Sequence, residues 1–387
     1  MFKRWFKAKN YNSLLLIGCR RAGKTTYLRH TFPDYSYVTL DDFDLLTWAK
    51  KDPKGFVQHL GCEAIIDEIQ RVPELTIAVK QRIDQGAFKV IMTGSSSLGL
   101  LSSSADTLAG RISIAHFPTV CWGEEKGEPT HSFFDDVLTP AELLEGKREF
   151  ENALSYGGFP EIVSQEAAQI KAELLRNYRD TYFTRDLAQL SNIENVDGVR
   201  AILNHLGRSI GSQLEVSSFA KESGLSHPTA KKYLNVFTQS ELTFKLYGYQ
   251  YGPAKRYLKA AKFYFSDAGI LHSLRQDESK GQRIENFVIS EIEKRRKLGT
   301  IMAEELFYYS SSSRAEIDIL FKDSDFLRIT EIKASETIAQ KDLRNLRDYV
   351  ASQRNANIRA SVVYLGTEYR TIEGIRCIPV YALYRGK

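Results

Sequence analysis

Apolar and polar positions alternate with two different periods along this chain, and the switches between them mark its parts. Ser13–Ile17 is an almost unbroken aliphatic run that closes on Gly18, the pattern of a short buried strand, and a helical stretch follows from Thr25 to Arg29. Residues 62–68 repeat the device with an apolar run ending in two acids, and residues 89–97 do so with small hydroxyls. Short buried strands alternating with helices predict a parallel α/β sheet. Helix formers at helical spacing dominate residues 139–191, interrupted by a turn at Gly157-Gly-Phe-Pro-Glu-Ile162. Residues 215–237 predict two short helices. Ser217 or Ser218 caps the first, Gly224 makes the turn, and Ser226 caps the second with Pro228 in its first turn. Phe219, Ala220, Leu225, Ala230, Leu234 and Phe237 supply their inner face, and strand patterns at 242–251 and 262–265 read as a wing. From Gln282 an amphipathic helix places Ile284, Phe287, Val288 and Ile292 inward. Strands are predicted at 305–309, 315–321 and 326–333, a helix at 340–352, and strands at 361–365 and 378–383.

The fold class expected is α/β at both ends. A parallel-sheet α/β domain spans 1–125, a helical bridge 126–200, a winged-helix-like connector 201–278 and a small mixed-sheet α/β domain 279–387. The 387 residues leave room for this, and 43% hydrophobic with 26% charged residues is ordinary for a folded chain. No apolar run approaches the roughly twenty residues that span a bilayer, so no membrane is expected. The basic start runs directly into a strand without a signal-peptide core or cleavage site; Phe2, Trp5 and Phe6 read as an amphipathic cap on the first domain. Cys19, Cys62, Cys121 and Cys377 lie far apart with no CxxC pair, which argues against a zinc ribbon and for a reducing, cytoplasmic compartment. Net charge is +5, and every charged residue before Asp34 is basic, which suits a phosphate-rich partner.

The chemistry begins at Gly18-Cys19-Arg20-Arg21-Ala22-Gly23-Lys24-Thr25, which matches GxxxxGKT in full. The glycines let the backbone curl so that N–H groups point at phosphates, with the positive end of the next helix behind them. These residues and Thr26 are the expected ATP contacts, with Lys24 reaching the β- and γ-phosphates and Thr25 holding Mg²⁺. Asp67 is expected to orient Mg²⁺ through water, and Glu68 to polarise the attacking water. Ser95, or Thr93 after it, is placed to sense the γ-phosphate; a plain serine-rich loop is the alternative. Arg111 reads either as an arginine finger, in cis or across a homo-oligomer interface, or as an ordinary surface arginine.

At this point DEIQRVPEL (67–75), TGSSS (93–97), LAGR (108–111) and GGFPEIV (157–163) fall in an order that resembles a group of bacterial and archaeal AAA+-type ATPases. The resemblance implies a RecA-like ATPase core and a C-terminal region similar to a restriction-endonuclease-like domain. In that region alternation puts Glu316 and Asp318 on one face of a strand, and Glu331 and Lys333 on one face of the next. This is similar to the D…(E/D)xK motif of such nucleases. Asp318 and Glu331 are then expected to hold Mg²⁺, Lys333 to position water, and Glu285 to add a water-mediated ligand. On the second of the paired helices, His227, Thr229, Lys231, Lys232 and Asn235 suit DNA, and Lys255, Arg256, Lys259 and Lys262 add charge beside the wing. Lys341, Arg344 and Arg347 suit a phosphate backbone or a solvated face. Tyr178, Tyr182, Phe183 and Arg185 read as an interface or as core. The functional expectation is ATP hydrolysis coupled to a DNA transaction, with Mg²⁺-dependent cleavage. The alternatives are a nucleotide-dependent switch that binds a protein partner through an inert nuclease-like domain, and an ATP-dependent transcription regulator.

Overall fold

The aliphatic run Leu14–Ile17 is β1, and all four residues are buried, so it needs cover on both faces and a neighbour on both edges. The computed structural model describes residues 2–86, 88–95, 108–181, 196–249, 260–274, 279–311, 315–353 and 357–387, and divides the chain into two compact units. The first unit comprises Arg4–Thr119 together with Gln239–Glu241. Its sheet runs β2 (Ser36–Thr39), β3 (Glu63–Asp67), β4 (Lys89–Gly94), β1, β5 (Ser113–His116), with every pairing parallel. Alternate residues Leu15, Ile17, Ala64, Ile66, Val90 and Met92 pack with Phe56, Val57, Leu75 and Val79 from the helices. Parallel register pairs Ile17 with Gly94 and Ile66 with Met92, so the segments following β1, β3 and β4 emerge side by side. Trp5 and Phe6 are buried, in keeping with a cap on this unit.

The second unit holds the rest of the chain. Its sheet has eight strands in the order β12 (Arg370–Ile372), β13 (Ile375–Pro379), β11 (Ile358–Tyr364), β10 (Phe326–Lys333), β9 (Glu316–Asp323), β8 (Phe307–Ser310), β6 (Thr243–Gly248), β7 (Lys262–Phe265). The hairpin β6–β7, expected as a separate wing, instead continues this sheet through parallel pairing of Tyr247 with Phe307. A two-stranded hairpin left alone would expose an unpaired ladder edge, and sheet extension removes one of its two edges. The last strand was expected at 378–383 but ends at Pro379, which has no N–H for a ladder, and Val380–Leu383 is a 3₁₀ turn.

The paired helices are Val216–Glu222 and His227–Gln239, with Gly224 left-handed (φ 68°) between them. Ser226 Oγ accepts from the Thr229 N–H, 3.3 Å, as a cap should. The first helix begins earlier than expected, at Val216, so Glu215 and neither Ser217 nor Ser218 holds the cap position. Leu225 is only half-buried, while the other inner residues are buried. Tyr178 is a core aromatic, edge-on to Phe159 with ring centroids 5.3 Å apart; Tyr182, Phe183 and Arg185 lie outside the described residues.

Helix Lys280–Lys297 departs most from its sequence pattern. Ile284, Phe287, Val288 and Ile292 are buried as expected, but so are Asn286, Glu291, Lys294 and Arg295 on its other faces. Lys294 Nζ reaches Glu291 at 2.9 Å and Asp267 at 3.1 Å, and Arg295 pairs with Glu291 while donating to the Gly386 and Leu383 carbonyls at 2.6 Å each. Glu291 also accepts from the Trp122 N–H at 2.9 Å. The turn glycines sit against this cluster. A Cβ on Gly158 would lie 2.1 Å from the Val120 oxygen, and Gly157 is left-handed (φ 66°) with Asp267 in its Cβ space. Those contacts explain why the helical span is broken by two consecutive glycines.

Burial alone would push the Glu291 carboxyl up, but the Lys294 ammonium and then the Arg295 guanidinium outweigh it and hold it below the usual range. A folded-state pKa below the unfolded one means stability fully present above about 4.3 and lost as pH falls through the folded value. Glu291→Gln leaves two buried cations short of their anion. Urea unfolding at pH 7 should show a loss of about 3 kcal/mol, with less additional loss on acidification than in the wild type.

Candidate functional site

The curl after β1 is built as its glycines require. A Cβ on Gly18 would meet the Phe117 oxygen at 2.2 Å, and Gly23 (φ 91°) and Arg21 (φ 63°) are left-handed. Helix Lys24–Thr31 starts directly from the curl. Lys24 is buried and its ammonium donates to the Gly18 carbonyl at 2.7 Å and the Cys19 carbonyl at 3.0 Å. Burial pulls its pKa below the usual lysine value, against the raising influence of Glu68 and Asp67. Arg4 was read only as part of a basic start. It is buried, donates to the Ala22 carbonyl at 3.1 Å and the Pro118 carbonyl at 2.7 Å, and stacks 4.2 Å over the Phe117 ring. It therefore braces the curl against the strand end beside it. No pattern in the sequence separates Arg4 from its basic neighbours.

Asp67, at the end of β3, gathers three hydroxyls. Its carboxylate accepts from Thr25 Oγ1 at 2.7 Å, from the Tyr37 hydroxyl at 2.8 Å, and from Thr93 Oγ1. Thr25 and Asp67, each expected to serve a Mg²⁺ ion, are thus hydrogen-bonded directly to each other. Thr93 turns to Asp67 rather than into open space. Tyr37 was not foreseen; its phenol is held well above its usual pKa by burial and by donating to Asp67. Glu68 is left-handed (φ 60°), and its carboxylate accepts from Ser95 Oγ at 3.2 Å and from Gln70 Nε2, which also donates to Ser95 Oγ at 3.0 Å. Ser95 is buried and sits beside Glu68, between the β1 and β3 ends.

Arg111 takes neither the position nor the freedom that a finger in cis needs. It precedes β5, whose first residue Ser113 pairs with Leu14 at the start of β1, so it stands at the opposite end of the sheet from the curl. There its guanidinium pairs with both oxygens of Asp84, at 2.6 and 3.0 Å.

In the second unit β9 and β10 form the expected antiparallel pair, Ile319 opposite Thr330, which sets Asp318 and Glu331 on adjoining strands. Asp318 accepts from the Ile332 N–H at 2.7 Å. Glu331 is buried, faces the Lys333 ammonium at 2.5 Å, and has no well-aligned hydrogen bond on either oxygen. Burial raises the carboxyls of both Asp318 and Glu331. It would pull Lys333 down, but Glu331 outweighs it and holds the ammonium above its usual value. Glu285, on helix Lys280–Lys297, feels the Asp318 charge but has other direct partners. It accepts from the Tyr264 hydroxyl at 2.7 Å, and burial followed by the Asp318 charge pushes its carboxyl up to about 7. Lys262, expected on a basic surface, is buried, paired with Glu316 and 3.9 Å from Glu285. Among the described residues no group of three or more acidic, histidine or cysteine side chains is arranged to hold a metal ion.

His227, Lys231, Lys232 and Asn235 are exposed on helix His227–Gln239 and Thr229 is half-buried; Asn235 accepts from Lys245 at 3.3 Å. Lys255, Arg256 and Lys259 lie outside the described residues. Arg347 pairs with Glu373 at 2.7 Å, and Lys341 and Arg344 are exposed. No helix among the described residues is long and apolar enough to cross a membrane.

The chain resembles other proteins along most of its length. Residues 10–125 match a family described as an AAA domain, residues 147–281 a domain of unknown function (DUF8612), and residues 280–383 another (DUF4143). An uncharacterized protein of Methanocaldococcus jannaschii is 24% identical over 371 residues, which cover 92% of this chain and 82% of that one. An uncharacterized protein of Mycobacterium tuberculosis is 24% identical over 367 residues, 91% of this chain and 76% of that one. Among solved structures, a signal transduction ATPase with numerous domains and a tetratricopeptide repeat sensor, from Pyrococcus horikoshii, shares 14% identity and a TM-score of 0.22. That match covers 74% of this chain and 43% of the other, so this chain spans less than half of that protein's length. A Vibrio cholerae protein shares 12% identity and a TM-score of 0.23, over 96% of this chain and 95% of that one.

Tyr37→Phe removes one of the three hydroxyls on Asp67. Titration of Mg²⁺ at fixed ATP should show a requirement roughly fivefold higher, from about 1 kcal/mol lost in orienting the carboxylate. The curl after β1, the paired Thr25 and Asp67, and the match over residues 10–125 together make this segment an AAA-type P-loop ATPase domain.

Proposed function

We propose that the protein hydrolyses ATP in its first unit and couples the turnover to a DNA transaction that its second unit carries out. One observation carries the hydrolytic half: Asp67 holds the Thr25 hydroxyl at 2.7 Å beside a buried Lys24. That is the donor set a nucleotide–Mg²⁺ pair requires, hard oxygens on one side and an ammonium on the other. Lys24 now donates to carbonyls of its own loop, so its ammonium is already aimed into the curl and moves to a phosphate without crossing the core. Magnesium there would neutralise charge across the β- and γ-phosphates. Glu68 is the base that orients water, and Gln70 with Ser95 fixes its carboxylate. Arg111, if it acts on a nucleotide, acts on that of a second copy.

For the second unit the support is the pair of adjoining strands that brings Asp318, Glu331 and Lys333 together, with Glu331 buried and lacking an aligned donor. Such a carboxylate fits a Mg²⁺ ligand, with Asp318 as the second, and Lys333 holds water for attack on a phosphodiester. The helix pair 216–239 with hairpin β6–β7 is read as a winged-helix-like element whose exposed His227, Lys231, Lys232 and Asn235 meet DNA. One specific observation favours a second reading, in which this fold is inert and docks a protein partner. Lys262 lies between Glu285 and Glu316, paired with Glu316 and 3.9 Å from Glu285.

ATP turnover and cleavage measured together over single-stranded, duplex and branched DNA separate the two. Lys24→Ala should weaken ATP binding at least about a hundredfold, and Glu68→Gln should keep binding but lower turnover at least about a hundredfold. Turnover unchanged in both removes the ATPase. Asp318→Ala and Lys333→Ala should each abolish Mg²⁺- or Mn²⁺-dependent cleavage. If the wild type cuts none of these forms with either metal, and DNA leaves its turnover unaltered, the docking reading stands.

A further inference from the structure

The turn glycines Gly157 and Gly158 border a cavity of about 400 Å³, all of whose walls belong to the second unit. That volume suits a molecule of amino-acid to small-drug size. Neither the nucleotide chemistry nor the strand carboxylates use it. Its lining is dominated by ionisable groups, four carboxylates against three ammoniums. Glu291 and Lys294 are matched to each other at 2.9 Å. Neither Glu125 nor Glu149 makes a direct ion pair among the described residues, though the Lys126 charge acts on Glu125 and the Lys171 charge interacts with both. Burial first, and Glu149 among the other charges, hold the Glu125 carboxyl above its usual range. Two half-buried carboxylates that repel each other across a cavity are stabilised by a cation placed between them.

Two further groups say what else the occupant carries. Trp122 is 6% exposed and lines the cavity, and its indole N–H has no acceptor among the described residues. A buried donor left unpaired costs about 1–3 kcal/mol, which a ligand acceptor recovers. Lys171, also 6% exposed, donates to the neutral Asn152 side-chain oxygen at 2.8 Å and lies 5.5 Å from the Tyr156 ring centre. It is a second donor for an oxygen of the same ligand. An anion alone is the wrong occupant, because it would meet Glu125 and Glu149 with Lys171, which already interacts with both carboxylates, as the one buried ammonium outside the Glu291 pair to hold it.

We propose that this cavity binds a basic amino acid or a close chemical relative, with its side-chain cation between Glu125 and Glu149 and its carboxylate toward Trp122 and Lys171. Calorimetric titration of the full chain tests it with three probes at equal ionic strength: L-lysine, 1,5-diaminopentane (the same cation without the carboxylate) and L-glutamate. L-Lysine should bind saturably at one site, and Glu125→Gln and Glu149→Gln should each weaken it about tenfold, the effect of removing one charge-assisted hydrogen bond. L-Glutamate should give no saturable heat. Trp122→Phe should weaken L-lysine while leaving 1,5-diaminopentane unchanged. Thermal melting of the two glutamine variants, which keep the shape of the side chain, confirms that they fold. The proposal is overturned if L-lysine gives no saturable heat, if L-glutamate binds as well, or if both glutamine variants bind L-lysine like the wild type. An equal loss for lysine and diaminopentane in Trp122→Phe overturns the assignment of the indole to the carboxylate.

Discussion

Taking a charge out of water costs several kcal/mol unless a partner goes with it, and that constraint organises both units of this protein. Lys24 is buried because loop carbonyls receive its protons, and those carbonyls converge because Gly18 and Gly23 let the backbone curl. Asp67 is buried because hydroxyls from a helix and from the strands on either side all donate to it. The parallel register of the first sheet is what brings those donors to one point. A slip of one residue in β2 or β4 would turn Tyr37 or Thr93 to the other face and leave the carboxylate short of partners.

The same constraint explains which parts of the structure could be read from the chain. The curl, Lys24, Thr25 and Asp67 are legible because a local spacing encodes a local backbone shape. The adjoining Asp318 and Glu331 are legible because a short hairpin and a two-residue period leave one register that buries the apolar face. Arg4, Tyr37 and the Asp67 target of Thr93 are not legible. Each acts on a group far along the chain, and residue type says nothing of which strand will lie alongside. The position of Arg111 was open for a related reason: a conspicuous arginine after a turn carries no mark of which end of the sheet it occupies, and that follows only from Ser113 pairing with Leu14. The hairpin β6–β7 was read as the wing of the 201–278 connector because sequence order suggests boundaries, whereas strand edges join whatever ladder is free.

Helix Lys280–Lys297 shows where periodicity itself misleads. A stripe of apolar residues opposite charged ones implies water on the charged side. Here that side meets Asp267, the Trp122 N–H and the Gly386 and Leu383 carbonyls instead, so polar residues are covered as fully as apolar ones. Fixed ion geometry requires close approach, and Gly157 and Gly158 supply it where any side chain would collide with Asp267 or Val120. The turn that looked like a simple helix breaker is a packing requirement of a charge cluster.

This one helix also holds two buried glutamates that burial alone would treat alike. Glu291 lies below the usual carboxyl range and Glu285 is pushed up to about 7. The difference is the supply of cations. Two of them, Lys294 and Arg295, contact Glu291 directly. The nearest to Glu285 is Lys262, at 3.9 Å and already paired with Glu316, while Asp318 repels it. Burial raises Asp318 and Glu331 as well, although Glu331 has a cation of its own in Lys333, 2.5 Å away. A charge cluster that only holds a fold together is expected to be matched from within, as around Glu291. One that is left with too few cations is stabilised by positive charge from outside, whether a metal ion or a basic partner.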